Sequence, residues 1–379
     1  MRPAAFALVL GAVLVSREAS AASTEVRGLW VVRTGLLSPE AVDKVVDEAT
    51  SGGFNALFVQ VRGRGDAFYN SSIVERSPLL EHEPLDFDPL ARLLERARKR
   101  GIAVHAWVNV LLTSHFPGPS PRNVVVTNPS WVMVPRAAAR STVPKDPKGL
   151  LWLIRQASRT DPDVEGFYLS PSSPEVQAHL EAVVRELVGR YDVQGLHLDF
   201  IRYPNPDYDW SVVALEGFRR WEGGGGDLLA SPLAHPAAFE QYRRATLTGL
   251  ADRLSRAARA ERPSIVVSAA VVPDEAAAVH HRYQDWPDWL AKGILDAVCP
   301  MTYTPDTRLF REQLVTAESR ARPGQSVWAG VGAYRLTVDS VIEKILTARR
   351  SGASGVVLFS HESLPAEALR RLSLEAFTP

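Results

Sequence analysis

Eight short apolar segments, each a strand's length and most followed by a stretch with helical periodicity, constrain this chain more than any other feature. The segments are 26–33, 55–62, 103–111, 195–203, 265–272, 297–303, 326–334 and 355–361. Between them, Pro39–Thr50 carries Val42, Val45, Val46 and Ala49 on one helical face with Ser38 at the N-cap position. Pro89–Arg100 repeats the pattern with Leu90, Leu93, Leu94 and Ala97, and Gly101 stands where a helix should stop. Helices are also expected at 175–190, 239–260, 286–292, 307–320 and 338–350. Eight strands alternating with helices predict the α/β class and, within it, a (β/α)8 TIM barrel. The alternative is a doubly wound open sheet, but no Gly-x-Gly-x-x-Gly follows the first strand. The run Gly223–Gly226 reads as a flexible loop without phosphate chemistry.

Two connections exceed an ordinary βα loop: 112–174 after strand three and 204–238 after strand four. Both leave C-terminal strand ends, the face on which barrel proteins build their sites. The first carries Trp131 and Trp152, the second Trp210 and Trp221. Nothing in the pattern calls for a second domain, so 22–379 is expected to be one barrel.

Residues 1–21 have the form of a secretory signal, with Arg2, an apolar run from Ala4 to Val15, and Ala19-Ser20-Ala21 ahead of a cleavage point. The apolar run is too short to span a bilayer, so a periplasmic or secreted protein without stable membrane insertion is expected. Lys+Arg and Asp+Glu are both 43, which argues against nucleic acid or an anionic surface as the main partner. The single cysteine, Cys299, leaves no internal disulfide and no multi-cysteine metal site. No cofactor is expected.

Side chains alternate along a strand, which allows each strand to be phased. On 195–203, Leu196, Leu198 and Phe200 share the face expected toward the helices, which turns His197 and Asp199 inward. An inward carboxylate at that depth requires a partner or a task. The same reasoning turns Gln60 and Arg62 inward together on strand two, and His105, Trp107 and Asn109 on strand three. It groups Met301 with Tyr303 and Trp328 with Tyr334. Structural alternatives exist for most of these: Arg62 as an ion pair at the barrel mouth, the histidines as satisfied supports, Trp107 and Trp328 as barrel filling.

Several motifs together resemble one family: Arg27-Gly28-Leu29-Trp30, Gln60-Val61-Arg62 followed by Gly65-Asp66-Ala67-Phe68-Tyr69, His105-Ala106-Trp107-Val108-Asn109, the decad 195–204, and Gln284-Asp285-Trp286 through Pro300-Met301-Thr302-Tyr303. In this order they are similar to the glycosyl hydrolase-like 10 family of exported bacterial proteins. The resemblance implies a TIM barrel acting on a polysaccharide or oligosaccharide, with some members thought to cut peptidoglycan strands stripped of their peptides. Many of its members carry a second acid directly after the strand-four Asp, whereas Phe200 stands there here. Glycoside hydrolysis needs two carboxylates. Asp199 is the first choice and Asp66, in a matched motif, the second; Asp274, Glu275, Asp285 and Glu362 are further candidates. Substrate contacts are expected from Gln60, Arg62, Tyr69, His105, Trp107, Asn109, His197, Arg202, Tyr203, Asp285, Tyr303 and Trp328. Trp107, Trp131 and Trp328 are candidate stacking platforms. A competing reading is a non-catalytic glycan-binding or scaffolding protein of the envelope. A third makes His105, His197 and Asp199 a metal set.

Overall fold

The computed structural model describes residues 25–115, 118–141, 147–225 and 227–377. The signal-like segment 1–21 and its cleavage point lie outside the described residues, as does Gly226. Among the described residues ten strands are present: β1 Val26–Val31, β2 Ala56–Arg62, β3 Ala103–Asn109, β4 Leu112–His115, β5 Gly166–Tyr168, β6 Gly195–Asp199, β7 Val266–Val271, β8 Ala297–Pro300, β9 Ser326–Gly332 and β10 Gly355–Phe359. Eight of them close into a barrel in the order β1-β10-β9-β8-β7-β6-β3-β2, every pair parallel. These are the eight strands expected from the sequence, so the barrel replaces the open sheet. Except for β2, the barrel strands stop one to four residues before the C-terminal ends of the apolar runs.

The seven expected helices form within a few residues of the expected bounds. Ser38 caps the first, its hydroxyl accepting from Ala41 N. Further helices, among them 147–158, 212–222 and 275–281, fall in the long loops or after β7. Gly223 ends the helix Val212–Glu222 in a left-handed conformation. The 112–174 connection also contains β4 and β5, which pair antiparallel as a ribbon outside the barrel.

Two apolar clusters follow from strand alternation. One lies between the strands and the helices and includes Leu57, Val59, Leu196 and Leu198. The other fills the barrel axis with Trp30, Phe58, Trp107, Cys299, Trp328 and Val357. His105 belongs to this inner column, stacked on Phe58 with centroids 4.5 Å apart and edge-on to Trp328. Gly195 permits that packing: a Cβ there would stand 2.0 Å from His105 Nδ1. His197 lies in the same column, accepting from Trp30 Nε1 at 3.3 Å and contacting Ser268 Oγ through Nδ1 at 2.9 Å. Because Nε2 accepts, the ring proton sits on Nδ1 and is donated to Ser268.

Candidate active site

The site begins where β6 ends. Phe200, directly after Asp199, has a φ of 48°, a left-handed turn that an aromatic residue rarely adopts. The turn folds the Phe200 N–H back onto the preceding side chain, where it donates to Asp199 Oδ1 at 2.6 Å. Arg202 Nη1 reaches the same oxygen at 3.2 Å, and its guanidinium lies over the Phe200 ring, 4.1 Å from the centroid. The other oxygen, Oδ2, accepts from Trp107 Nε1 at 3.1 Å. Trp107 Nε1 also donates to Asn109 Oδ1 at 2.9 Å, and Asn109 Nδ2 holds the Gly63 carbonyl at 2.8 Å. Gln60 continues the chain, its Nε2 lying 3.4 Å from Asn109 Oδ1 and its Oε1 accepting from Arg33 Nη1 at 3.0 Å. Four strand ends thus support one polar network around Asp199.

This network lines a cavity of about 390 Å³ at the C-terminal mouth of the barrel. Trp30, Tyr303, Tyr334 and Phe359 form its aromatic wall, with Tyr303 stacked on Phe359 at 5.6 Å. Arg33, His115, Glu165 and Met301 also line it. The size and the mix of aromatic and polar groups suit a small polar ligand. Two larger hollows, of about 560 and 770 Å³, lie away from the C-terminal mouth, the first beside the start of β3, and contain none of this network.

Burial pushes the Asp199 carboxyl above the usual carboxylate range, against the pull of Arg202, the Phe200 N–H and the Trp107 N–H. Glu165 is raised as well, first by burial and further by the charge of Asp199, with Arg202 and Arg282 opposing. Burial lowers His105 to about 4 and His197 to about 3, so both are neutral near pH 7.

Of the residues expected from sequence, the cavity gathers Gln60, Trp107, Asn109, Asp199, Arg202 and Tyr303. Others stand elsewhere. The expectation that Arg62 turns inward with Gln60 fails because the β2–β3 register slips between them, pairing Gln60 with Trp107 but Arg62 with Val108. Arg62 is fully buried, with Nη1 on the Asn109 and Val110 carbonyls. Tyr69 is buried edge-on to Tyr191, and Tyr203 edge-on to Tyr283. His105, His197 and Trp328 sit in the aromatic column beneath the cavity. Trp131 packs on His179 at 5.5 Å.

The candidate second carboxylates are also dispersed. Asp66 accepts from Arg64 N at 2.8 Å and lines a smaller neighbouring hollow with Glu75 and Asn123. Asp274 and Asp285 cap the helices Glu275–His281 and Trp286–Ala291. Glu275 pairs with Arg320, and Glu362 accepts from Thr34 and Ser360. The sequence reading passed over Arg33, His115, Phe359 and Glu165 as site residues. Arg33 and Phe359 were legible as the ends of strands one and eight. Glu165 lies in the long loop already expected on this face, but no strand phase identified it. Among the described residues no three His, Cys, Asp or Glu side chains are grouped so as to hold a metal ion, and no helix is long and apolar enough to cross a membrane.

Its resemblance to known proteins places this closed parallel barrel, with a buried carboxylate in an aromatic cavity at its C-terminal mouth, among glycan-acting, hydrolase-like proteins. The chain belongs to the Glycosyl hydrolase-like 10 family, whose model matches residues 25–334. It is 28% identical over 323 residues to glycosyl hydrolase DigH of Escherichia coli, covering 80% of this chain and 67% of that protein. It is 22% identical over 295 residues to glycosyl hydrolase YngK of Bacillus subtilis, covering 72% of this chain but only 51% of the relative. The fold is similar to the PgaB (BpsB) glycoside hydrolase domain of Bordetella bronchiseptica, with a TM-score of 0.69 at 16% identity over 94% of this chain and 100% of that one.

Proposed function

We propose that this chain is an exported glycoside hydrolase acting on a bacterial envelope or extracellular glycan, with peptide-free peptidoglycan strands as the first substrate class to test. The observation that carries the reading is Asp199, a carboxylate held by three donors at the base of an aromatic-walled cavity on the barrel's C-terminal mouth. Sugar rings pack their C–H faces on aromatic rings while their hydroxyls seek polar groups, and Tyr303, Tyr334 and Phe359 line one cavity with Gln60, Asn109 and Arg202. The names of the relatives, glycosyl hydrolase in both organisms, support the same chemistry. Export rests on the signal-like residues 1–21.

The test is to incubate the purified chain with peptide-free peptidoglycan strands and a panel of other bacterial glycans, and to resolve products by mass spectrometry. Cleavage that disappears in Asp199→Asn, with the melting temperature retained, is the expected result. Glycan binding without cleavage of any substrate would replace this reading with that of a binding or scaffolding protein.

A further inference from the structure

Asp199 alone leaves hydrolysis incomplete, because one group must protonate the departing oxygen while another acts at the anomeric carbon. Among the described residues lining the cavity, two are carboxylic acids, Asp199 and Glu165. They come from different parts of the fold. Asp199 is buried at the end of β6, whereas Glu165 directly precedes β5 of the ribbon and is exposed at the rim.

Its placement is specified by the chain. His115 Nδ1 lies 3.0 Å from the Glu165 carbonyl oxygen, and Gly166, the next residue, pairs with His115 across the ribbon. The two ribbon strands approach so closely there that a Cβ at residue 166 would stand 1.6 Å from the Ser114 carbonyl oxygen. Only glycine permits that contact, so the close approach of the ribbon strands beside Glu165 depends on Gly166. His115 itself lines the cavity.

We propose that Glu165 is the catalytic general acid that works with Asp199, an inference that rests on the glycoside hydrolase reading above. Desolvation raises both carboxyls, but Asp199 also receives the Phe200 and Trp107 N–H groups and the Arg202 guanidinium, which pull it back toward the carboxylate form, so the pair is assigned with Asp199 as the ionised member. Glu165 faces that negative charge, and two acids sharing a site do not both ionise easily. Arg202 and Arg282 are the cations that face it, with His115 beside its backbone. In the reaction the Glu165 carboxyl proton passes to the bridging glycosidic oxygen as the bond from that oxygen to C1 breaks, the bonding pair staying on oxygen. Water supplies the new oxygen at C1 and loses a proton to Asp199, and proton exchange with solvent restores both groups.

The experiment compares Glu165→Gln and Asp199→Asn on a glycan cleaved by the wild type and on an aryl glycoside of the same sugar whose dinitrophenolate leaving group departs without protonation. Glu165→Gln is expected to lose about 10³-fold in kcat on the glycan and to stay within about tenfold of wild type on the aryl glycoside. Asp199→Asn is expected to lose both. Glu165→Gln at near wild-type rate on the glycan, or with equal losses on both substrates, overturns the assignment while leaving Asp199 and the hydrolase reading intact. A wild type that cleaves neither substrate refutes the hydrolase reading itself, and the pairing is then judged by carboxyl ¹³C NMR. Glu165 should titrate above the usual glutamate range and move down in Asp199→Asn; an ordinary titration, unmoved by that substitution, overturns the pairing.

Discussion

Replacing Trp107 by Phe removes one N–H from the site while keeping an aromatic ring in the wall. That N–H is shared, reaching Asp199 Oδ2 at 3.1 Å and Asn109 Oδ1 at 2.9 Å. A hydrogen bond to a charged acceptor contributes about 1.5–3 kcal/mol, and a donor shared between two acceptors belongs at the lower end. At about 1.4 kcal/mol per pKa unit, the substitution should raise the Asp199 pKa by about one unit. The sign follows from the direction of the bond: the N–H stabilises the ionised carboxylate, so its loss adds to the upward push of burial. Asn109 Oδ1 would retain only the longer contact from Gln60 Nε2 at 3.4 Å. The assay has two parts. Carboxyl ¹³C NMR should show the Asp199 titration moving up by about one unit. The acidic limb of the kcat/KM profile, which requires Asp199 ionised, should move to higher pH by the same amount, lowering activity about tenfold on that limb. A titration that stays in place or moves down would refute the claim that this indole holds the charged form.

Three further outcomes follow from the packing. Gly195→Ala should destabilise the barrel by about 3 kcal/mol, seen as a lower melting temperature, because the new Cβ meets a His105 ring trapped between Phe58 and Trp328. Gly166→Ala should instead lower kcat by about 10²-fold with little change in melting temperature, since it displaces the ribbon and leaves the barrel core untouched. Stability should fall on acidification below about pH 6.5. His105 and His197 are buried neutral with folded-state pKa values of about 4 and 3, so their contribution is intact above the unfolded value and lost as pH falls through the window below it. Together they would remove roughly 5 kcal/mol by pH 4.5, partly offset by the raised Asp199, and His105→Phe should reduce the slope in denaturant titrations at stepped pH.

How much of this could be read from sequence depended on which physical rule applied. The eight strands were legible because a barrel strand buried on both faces is apolar throughout, and Leu196 and Leu198 fixed the phase that turned Asp199 inward. Depth along the barrel was not legible. His105 and Trp107 share a face, yet one sits in the packed column and the other two residues on lines the cavity. Phase also failed where the backbone broke its own period, as between Gln60 and Arg62, since a bulge leaves no mark in residue type. Glu165 was invisible for a different reason: a three-residue strand paired with a four-residue one is too short to show alternation, and its position depends on the contact between Gly166 and Ser114.

The aromatic column beneath the cavity has a consequence for the polymer itself. Trp30, Phe58, His197 and Trp328 close the barrel axis with rings in contact, so the well has a floor. Were the proposed glycan strand the substrate, it could not thread through such a floor: it would lie across the rim and dip one residue downward, with the attacking water and both products sharing the mouth. The loops that border the mouth would then govern that traffic.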